Sequence, residues 1–412
     1  MAFVVEKFGG TSVAGPDRIR VVADHVARRR SRGDEVVLVV SAMGSETDQL
    51  LRMASDVAAD PPGREVDMLI TGGERKACAL MAMALSDLGV PAASFTGSQA
   101  GFRTDSCHTD AKIVQITPGR ITEALARGMV PVVGGSQGVS GDGDVTFFGR
   151  GGSDTTAVAL AHVLGADYCE IYTDVPGVFS ADPRIVPEAR RMDLVSFDEL
   201  LEMTASGCPK PAMRAVELAR TYGVELHVRS AFSWMPGTTV TGEEAMEHAI
   251  ISAVTHDASE AKMTVSGVAD KPGVAGRLFR ALADTDVNVD RIVQNVSSQG
   301  VTDISFTVPR AQMDATRAVA QGLIDELGAD DVSADDGIAR VSLIGAGMQT
   351  NPGVAARMFE TLAAAGINIE MISTSAIRIS CVIRAGDMEQ AVGALHESFE
   401  LAKDPADRAS VY

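Results

Sequence analysis

Aromatic residues are scarce in this 412-residue chain, at 4% of positions, and there is a single tryptophan. The interior must therefore be filled mainly by valine, alanine, leucine, isoleucine and methionine, within an apolar content of 46%. Basic charge is also short, with 36 lysines and arginines against 55 acids and a net charge of -19. That balance argues against nucleic acid or an anionic membrane as the main partner, although a local cationic cluster can still hold a small anion. The one dense basic run, Arg28, Arg29, Arg30 and Arg32, closes a helical stretch before Gly33 and reads as a solvated last turn. The five cysteines (Cys78, Cys107, Cys169, Cys208, Cys381) show no CxxC and no metal-ligand spacing. They fit a reducing compartment and no tightly held metal. No apolar run approaches the length that crosses a bilayer, and Glu6 and Lys7 precede any long one. The expectation is a cytoplasmic chain without signal peptide.

What is present is alternation. FVVEKF (3–8) reads as a strand running into GGTS, followed by helical periodicity over Asp17–Arg32 and a buried strand in EVVLVVSAMG (35–44) that ends at Ser41. Glu74–Leu88 reads as a helix with Glu74 in its first turn, 90–95 and 129–134 as strands, and 118–127 as a helix. A helix after Asp154, the strand ADYCEIYTDV (166–175), helices near 196–205 and 212–222 and a strand at 224–229 continue the series. Unbroken apolar strands between amphipathic helices predict a mostly parallel central sheet covered on both faces, in a domain over 1–230. Residues 231–260 read as a linker, with Pro236-Gly237 and acids at Glu243–Glu247. Beyond lies an internal repeat, KMTVSGVADKPGVAGRLFRALADTDVNVDRI from Lys262 and RVSLIGAGMQTNPGVAARMFETLAAAGINIEMI from Arg340. Each copy reads as strand, Pro-Gly turn, amphipathic helix and short strand, giving modules over 261–335 and 336–412. Such modules either pair chains without a ligand or sense one.

Three loops follow strands in the first domain, where ligands of α/β sheets lie. KFGGTS (7–12) sets Lys7 before Gly9 and Gly10, which is either an ordinary tight turn or a place where amides and an ammonium meet a phosphate. GRGGSD (149–154) repeats the double glycine ahead of a helix; a cap at Ser153 or Asp154 requires neither Gly151-Gly152 nor Arg150. YTDVPGVFSADPR (172–184) is either a turn-rich surface segment or one wall of a nucleotide pocket. His108, in a polar loop, reads as a surface residue.

Together KFGGTSVA, VVSAMG, FTGSQAG, TPGR, GRGGSDTTAVALA and YTDVPGVFSADPR resemble the aspartate kinases of the amino acid kinase superfamily, and the duplicated tail resembles their paired ACT domains. The resemblance spans nearly the whole chain. It implies an amino acid kinase fold followed by two ferredoxin-like ACT domains. It implies phosphorylation of the β-carboxylate of L-aspartate from ATP, with Mg2+ arriving on the nucleotide, as the first step towards lysine, threonine and methionine. Lys7 would stabilise the transferred phosphoryl group, helped by amides at Gly9, Gly10 and after Gly152, and Asp154 would orient Lys7 or a magnesium-bound water. An acceptor already ionised near pH 7 needs no general base. Arg150 would hold the α-carboxylate and Glu74 the α-ammonium, with Ser41, Thr47, Gly151, Gly152 and Ser153 completing the substrate site. Ser12, Thr173, Asp174, Phe179, Arg184 and Lys210 would join the two glycines on the nucleotide.

One stretch departs from that pattern. SGCPKPAMRAVELAR (206–220) has Cys208-Pro209 where the family carries Ser-Lys or Ala-Lys, and Lys210 comes one place late between prolines, which predicts a different loop course. It leaves open a divergent amino acid kinase acting on another carboxylate, or an amino-acid sensor with a weakened kinase domain. In the tail, the resemblance implies control by lysine, threonine or both, at Asp270, Gly273, Val274, Ala275, Asn288, Asp290 and Gln294, with the 294–298 stretch. The second copy would supply Asn351, Gly353, Val354, Asn368, Ile369, Glu370 and Ser375. Free strand edges predict a homo-oligomer, and Met246 is a candidate start for a separate regulatory subunit.

Overall fold

The computed structural model describes residues 1–242, 251–285, 287–294, 300–349, 351 and 353–408. Two compact units form: Met1–Phe179 with the chain from Arg191 to the end of the first sheet, and Ser180–Arg190 with the two C-terminal modules. In the first unit an eight-stranded sheet runs in the order Leu194–Ser196, Thr238–Thr241, Leu226–Ser230, Tyr168–Thr173, Phe3–Phe8, Glu35–Val40, Val130–Gly134, Ala92–Phe95. All neighbours are parallel except Leu226–Ser230 with Thr238–Thr241. The central strands are apolar on both faces because helices cover both, so Val36–Val40 and Val130–Val133 are buried without alternation. Parallel register sets Lys7 opposite Val39 on one side and Ile171 on the other. Lys7, Ser41, Gly134 and Thr173 thus lie along one carboxyl edge. A smaller four-stranded sheet joins Ile113–Ile116, Phe102–Thr104, Gln137–Val139 and Val145–Phe147.

In the second unit each module is an antiparallel four-stranded sheet. The first sheet runs Ile292–Gln294, Val301–Pro309, Glu260–Ala269, Asp331–Asp335, with helices Val274–Ala283 and Met313–Gly322. The second runs Ala253–Asp257, Ile338–Ile344, Arg378–Arg384, Met371–Thr374, with helices Val354–Ala364 and Met388–Ser398. Both are ferredoxin-like.

Three expectations are corrected here. The 231–260 stretch is not plain linker: Thr238–Thr241 pairs in the large sheet, and Ala253–Asp257 is the edge strand of the second module, antiparallel to Ile338–Ile344. The helix expected from Glu74 begins at Gly63, so Glu74 sits in its middle. Gly72-Gly73 disfavours helix locally, yet Gly73 is required by packing, because a Cβ there would lie 2.8 Å from that of Ala42. Finally, Arg29 is not solvated; it reaches under the sheet to Glu6 and Glu170, both buried, and to Tyr168.

Candidate active site

Lys7 and Asp154 meet at the carboxyl edge of the large sheet. Lys7 Nζ lies 2.6 Å from Asp154 Oδ1, with both side chains all but removed from solvent. Asp154 stands in the first turn of the helix Gly152–Leu164, and its Oδ2 accepts the Ala212 N–H at 3.0 Å. Burial alone would push this carboxyl up, but the Lys7 and Lys210 ammonium groups beside it hold it below the ordinary range. The Lys7 ammonium, together with burial, lowers the pKa of Lys210, while Asp154 and Asp174 oppose and Arg150 adds to the lowering. The proline-flanked lysine thus lies within the electrostatic field of Lys7, Asp154 and Asp174. Among the described residues Lys7 alone is ion-paired with the buried Asp154 carboxylate, and the charge of Lys210 acts on both.

The glycines allow this convergence. A Cβ on Gly9 would stand 3.4 Å from Lys7 Nζ, and one on Gly10 would meet the Ala42 and Gly44 carbonyl oxygens at 2.8 and 2.9 Å. Gly151 has φ 74°, and a Cβ there would lie 2.2 Å from that of Ala212. The free amides are fewer than the two turns imply. The Gly9 N–H donates to Tyr172 O, that of Gly152 to Gly149 O, and those of Asp154 and Thr155 to Gly151 O. Among the described residues the Gly10 and Ser153 N–H groups are left without an acceptor. Ser12 is buried close by, and its hydroxyl has no partner among the described residues.

Ser41 Oγ donates to Ser153 Oγ at 2.9 Å, and Ser136 Oγ lies 2.8 Å from the same hydroxyl. Glu74 is buried beside Gly134, and its Oε2 has no partner among the described residues. Burial, with Glu46 adding repulsion, pushes its carboxyl up to about 7. Thr47 is half-buried in the first turn of the helix Glu46–Val57. Arg150 is exposed and has no ion-pair partner among the described residues. Thr173 donates its hydroxyl to Asp174 at the end of the neighbouring strand. Phe179 is half-buried and bridges to Arg191. Arg184 falls in the 180–190 segment of the second unit, where its guanidinium forks onto Asp182.

Several participants escaped the sequence reading. Gly134-Gly135-Ser136 follows an apolar strand just as Gly9-Gly10 does, and a Cβ on Gly135 would press on Ser153 Oγ at 2.6 Å. That repeated strand-Gly-Gly pattern is the signal that would have found it. His108 is not a plain surface residue, for its Nδ1 lies 2.8 Å from the buried Asp67.

In the C-terminal modules the expected effector residues divide. Gly273 and Gly353 take φ 97° and 112° at equivalent helix starts, with Val274 and Ala275 half-buried behind the first. Val354 points into its module's core, as the first apolar position of an amphipathic helix. Asp270 donates its N–H to Gly300 O, Asn288 its N–H to Gln312, Asn351 its side chain to Gly347 O, and Ser375 its N–H to Arg378 O. Asn288, Gln294 and Asn368 are exposed and Ile369 is half-buried. Asp290 lies 3.1 Å from both Arg291 and Arg340, and Glu370 pairs with Lys262 and Arg384. Met246 and residues 295–298 lie outside the described residues.

Lys7 and Asp154 pair at the carboxyl edge of the sheet with the buried Glu74 beside Gly134, and similarity to known proteins places this fold in the amino acid kinase class of phosphotransferases. The amino acid kinase family matches residues 2–230, and the ACT domain matches residues 263–322 and 341–399. An aspartokinase of Mycolicibacterium smegmatis is 54% identical, with 100% of this chain and 99% of that protein covered. Among solved structures, E. coli aspartokinase III in complex with aspartate and ADP (R-state) is 25% identical and aligns over 97% of this chain and 100% of its own, with TM-score 0.83. The same E. coli enzyme in complex with lysine and aspartate (T-state) gives 26% identity over 96% of this chain and 99% of its own, with TM-score 0.74. The chain belongs to the aspartokinase family, and it is an enzyme. No helix among the described residues is long and apolar enough to cross a membrane.

Proposed function

We propose that the protein transfers the γ-phosphoryl group of MgATP to the β-carboxylate of L-aspartate, giving 4-phospho-L-aspartate. The observation that carries this reading is the buried Lys7–Asp154 ion pair at the carboxyl edge, within the field of Lys210, with the buried Glu74, whose Oε2 has no partner among the described residues, beside Gly134 on the same edge. The two reacting groups are anions, and catalysis must relieve their repulsion while holding them in line. Lys7, with Lys210 and the Gly10 and Ser153 amides, would neutralise charge growing on the phosphoryl oxygens. Asp154 would fix the Lys7 ammonium rather than accept a proton, because its carboxyl is held in the ionised form. Arg150 would take the α-carboxylate and Glu74 the α-ammonium. Ser41 and Ser153, tied to each other, would steer the β-carboxylate. Magnesium would enter with the nucleotide and shield its phosphates, and Asp174 and Thr173 would face that side.

The ACT modules would bind lysine, threonine or both as feedback effectors of a pathway leading to lysine, threonine and methionine, in a cytoplasmic homo-oligomer. A coupled ADP-release assay over a panel of acidic amino acids tests the substrate. Turnover with another acid and none with L-aspartate would move the reading to a divergent amino acid kinase. No turnover with any acid, beside measurable lysine or threonine binding, would move it to a sensor.

A further inference from the structure

We infer that Asp67 is a positioning residue for substrate binding, holding the arginine loop Phe147–Arg150 in place at the end of the edge strand Val145–Phe147. This rests on the reading of Arg150 as the group that takes the substrate's α-carboxylate. Arg150 has no ion-pair partner among the described residues, so its own backbone sets where the guanidinium can reach. That backbone is fixed on one side by Ser136, whose carbonyl accepts the Phe148 N–H at 2.9 Å, and on the other by Asp67 and the turn that Asp67 holds.

The Asp67 carboxylate is completely buried under the helix Gly63–Asp87 and accepts from three directions. The Phe147 N–H donates to Oδ2 at 3.1 Å, three residues before Arg150. The Thr109 N–H donates to both oxygens, at 3.0 and 3.2 Å, and His108 Nδ1 lies 2.8 Å from Oδ2. Thr109 has φ 69°, a left-handed conformation that a β-branched residue keeps only when its surroundings impose it. The imposed turn is the floor of the arginine loop. Gly149, with φ 77°, rests on it so closely that a Cβ would lie 2.9 Å from Asp110 Oδ1 and 3.4 Å from Thr109 O. Further along, Phe147 O accepts the Ala111 N–H at 2.8 Å. Arg214 closes the arrangement, donating at 3.0 Å to both Phe148 O and Ala111 O. Two routes thus run from one carboxylate to Arg150, one through Phe147 and one through the 108–110 turn. Lys7 and Asp154 are held by other contacts, their ion pair and the Ala212 amide.

This separation makes a kinetic prediction that a general packing role would not. Asp67→Asn keeps the volume but turns one acceptor into a donor facing N–H groups. In the full chain it should raise KM for L-aspartate by about tenfold or more, with KM for MgATP within about twofold and kcat within about threefold of the unsubstituted enzyme. His108→Ala, at a half-exposed position, should shift KM for L-aspartate in the same direction by roughly threefold, since Asp67 keeps its two backbone donors. A matched rise in both KM values, or an unchanged KM for L-aspartate beside a lowered melting temperature, overturns the inference. If Asp67→Asn does not fold, His108→Ala decides, and an unchanged KM for L-aspartate there overturns it equally. Absence of aspartate turnover in the unsubstituted chain overturns the reading beneath it, a failure distinct from a missing split between the two KM values.

Discussion

Lys7 is ion-paired with Asp154, and the charge of Lys210 acts on both, an arrangement that an incoming anion can join. Removing Lys7 should lower turnover by about 10²- to 10³-fold, the scale seen for a single donor aimed at developing charge. The affinity of the C-terminal modules for their effector should stay unchanged; equal turnover in Lys7→Ala would remove the lysine from its role. Glu74 offers a different test, because its carboxyl has risen from 4.5 to about 7 in the folded chain. The folded state therefore binds a proton that the unfolded chain releases between these values, and stability is lost as pH climbs from 4.5 to about 7. At about 1.4 kcal/mol per unit, the cost above pH 7 is about 3 kcal/mol. Glu74→Gln should accordingly melt higher than the unsubstituted chain at pH 8 and match it at pH 4, while its KM for L-aspartate rises by about tenfold or more. In the unsubstituted enzyme that KM should fall as pH rises through 7, as ionised Glu74 becomes available to the ammonium. A Gln variant that melts lower at pH 8 sinks the argument that this carboxylate is held for a ligand.

Gly151 shows what one backbone position does for an element. Its φ of 74° lets the helix Gly152–Leu164 start where Asp154 meets Lys7, and its missing Cβ admits Ala212 from the Lys210 loop. Gly151→Ala should drop turnover by at least about tenfold while costing about 1–3 kcal/mol in stability, and a concurrent Ala212→Gly should return part of both. Stability and turnover measured on the pair decide it, and no recovery would place the defect elsewhere. The strands around this point were legible from the sequence because both faces of a parallel sheet are apolar. Val36–Val40 needs no partner to be recognised. The helix at Phe197–Ala205 likewise carries its own start signal, the capping box of Ser196 and Glu199. What stayed illegible depends on distant partners. Gly72-Gly73 discourages a helix until Ala42 packs on it, and Ala253–Asp257 is too short to read as a strand until Ile338–Ile344 pairs with it. Arg29, Asp67 and Glu74 are charges whose burial follows from the fold alone.

Across the C-terminal unit the repeat in sequence becomes a reciprocity of charge. Lys262 and Arg340 open equivalent strands, and Asp290 and Glu370 follow equivalent helices. Lys262 of the first module pairs with Glu370 of the second, and Arg340 of the second pairs with Asp290 of the first. Arg340 is almost wholly buried and also contacts Asp257 and Glu260 at 3.0 Å, while Arg291 contacts Glu260 and Ser373. Glu260, desolvated there, is pushed up to about 7 even with Arg340 beside it. Residues expected to line effector pockets are thus engaged in holding the two modules together, and an effector that competes for Asp290 or Glu370 must work against that hold. A double-mutant cycle on Lys262→Met and Glu370→Gln should give a coupling of about 1 kcal/mol in the stability of the full chain, since the pair is partly screened. Either single change should also move the lysine or threonine concentration for half-inhibition, because loosening one module alters what the other must overcome. Additive stabilities within about 0.3 kcal/mol, together with unmoved inhibition, would reduce the pair to surface decoration.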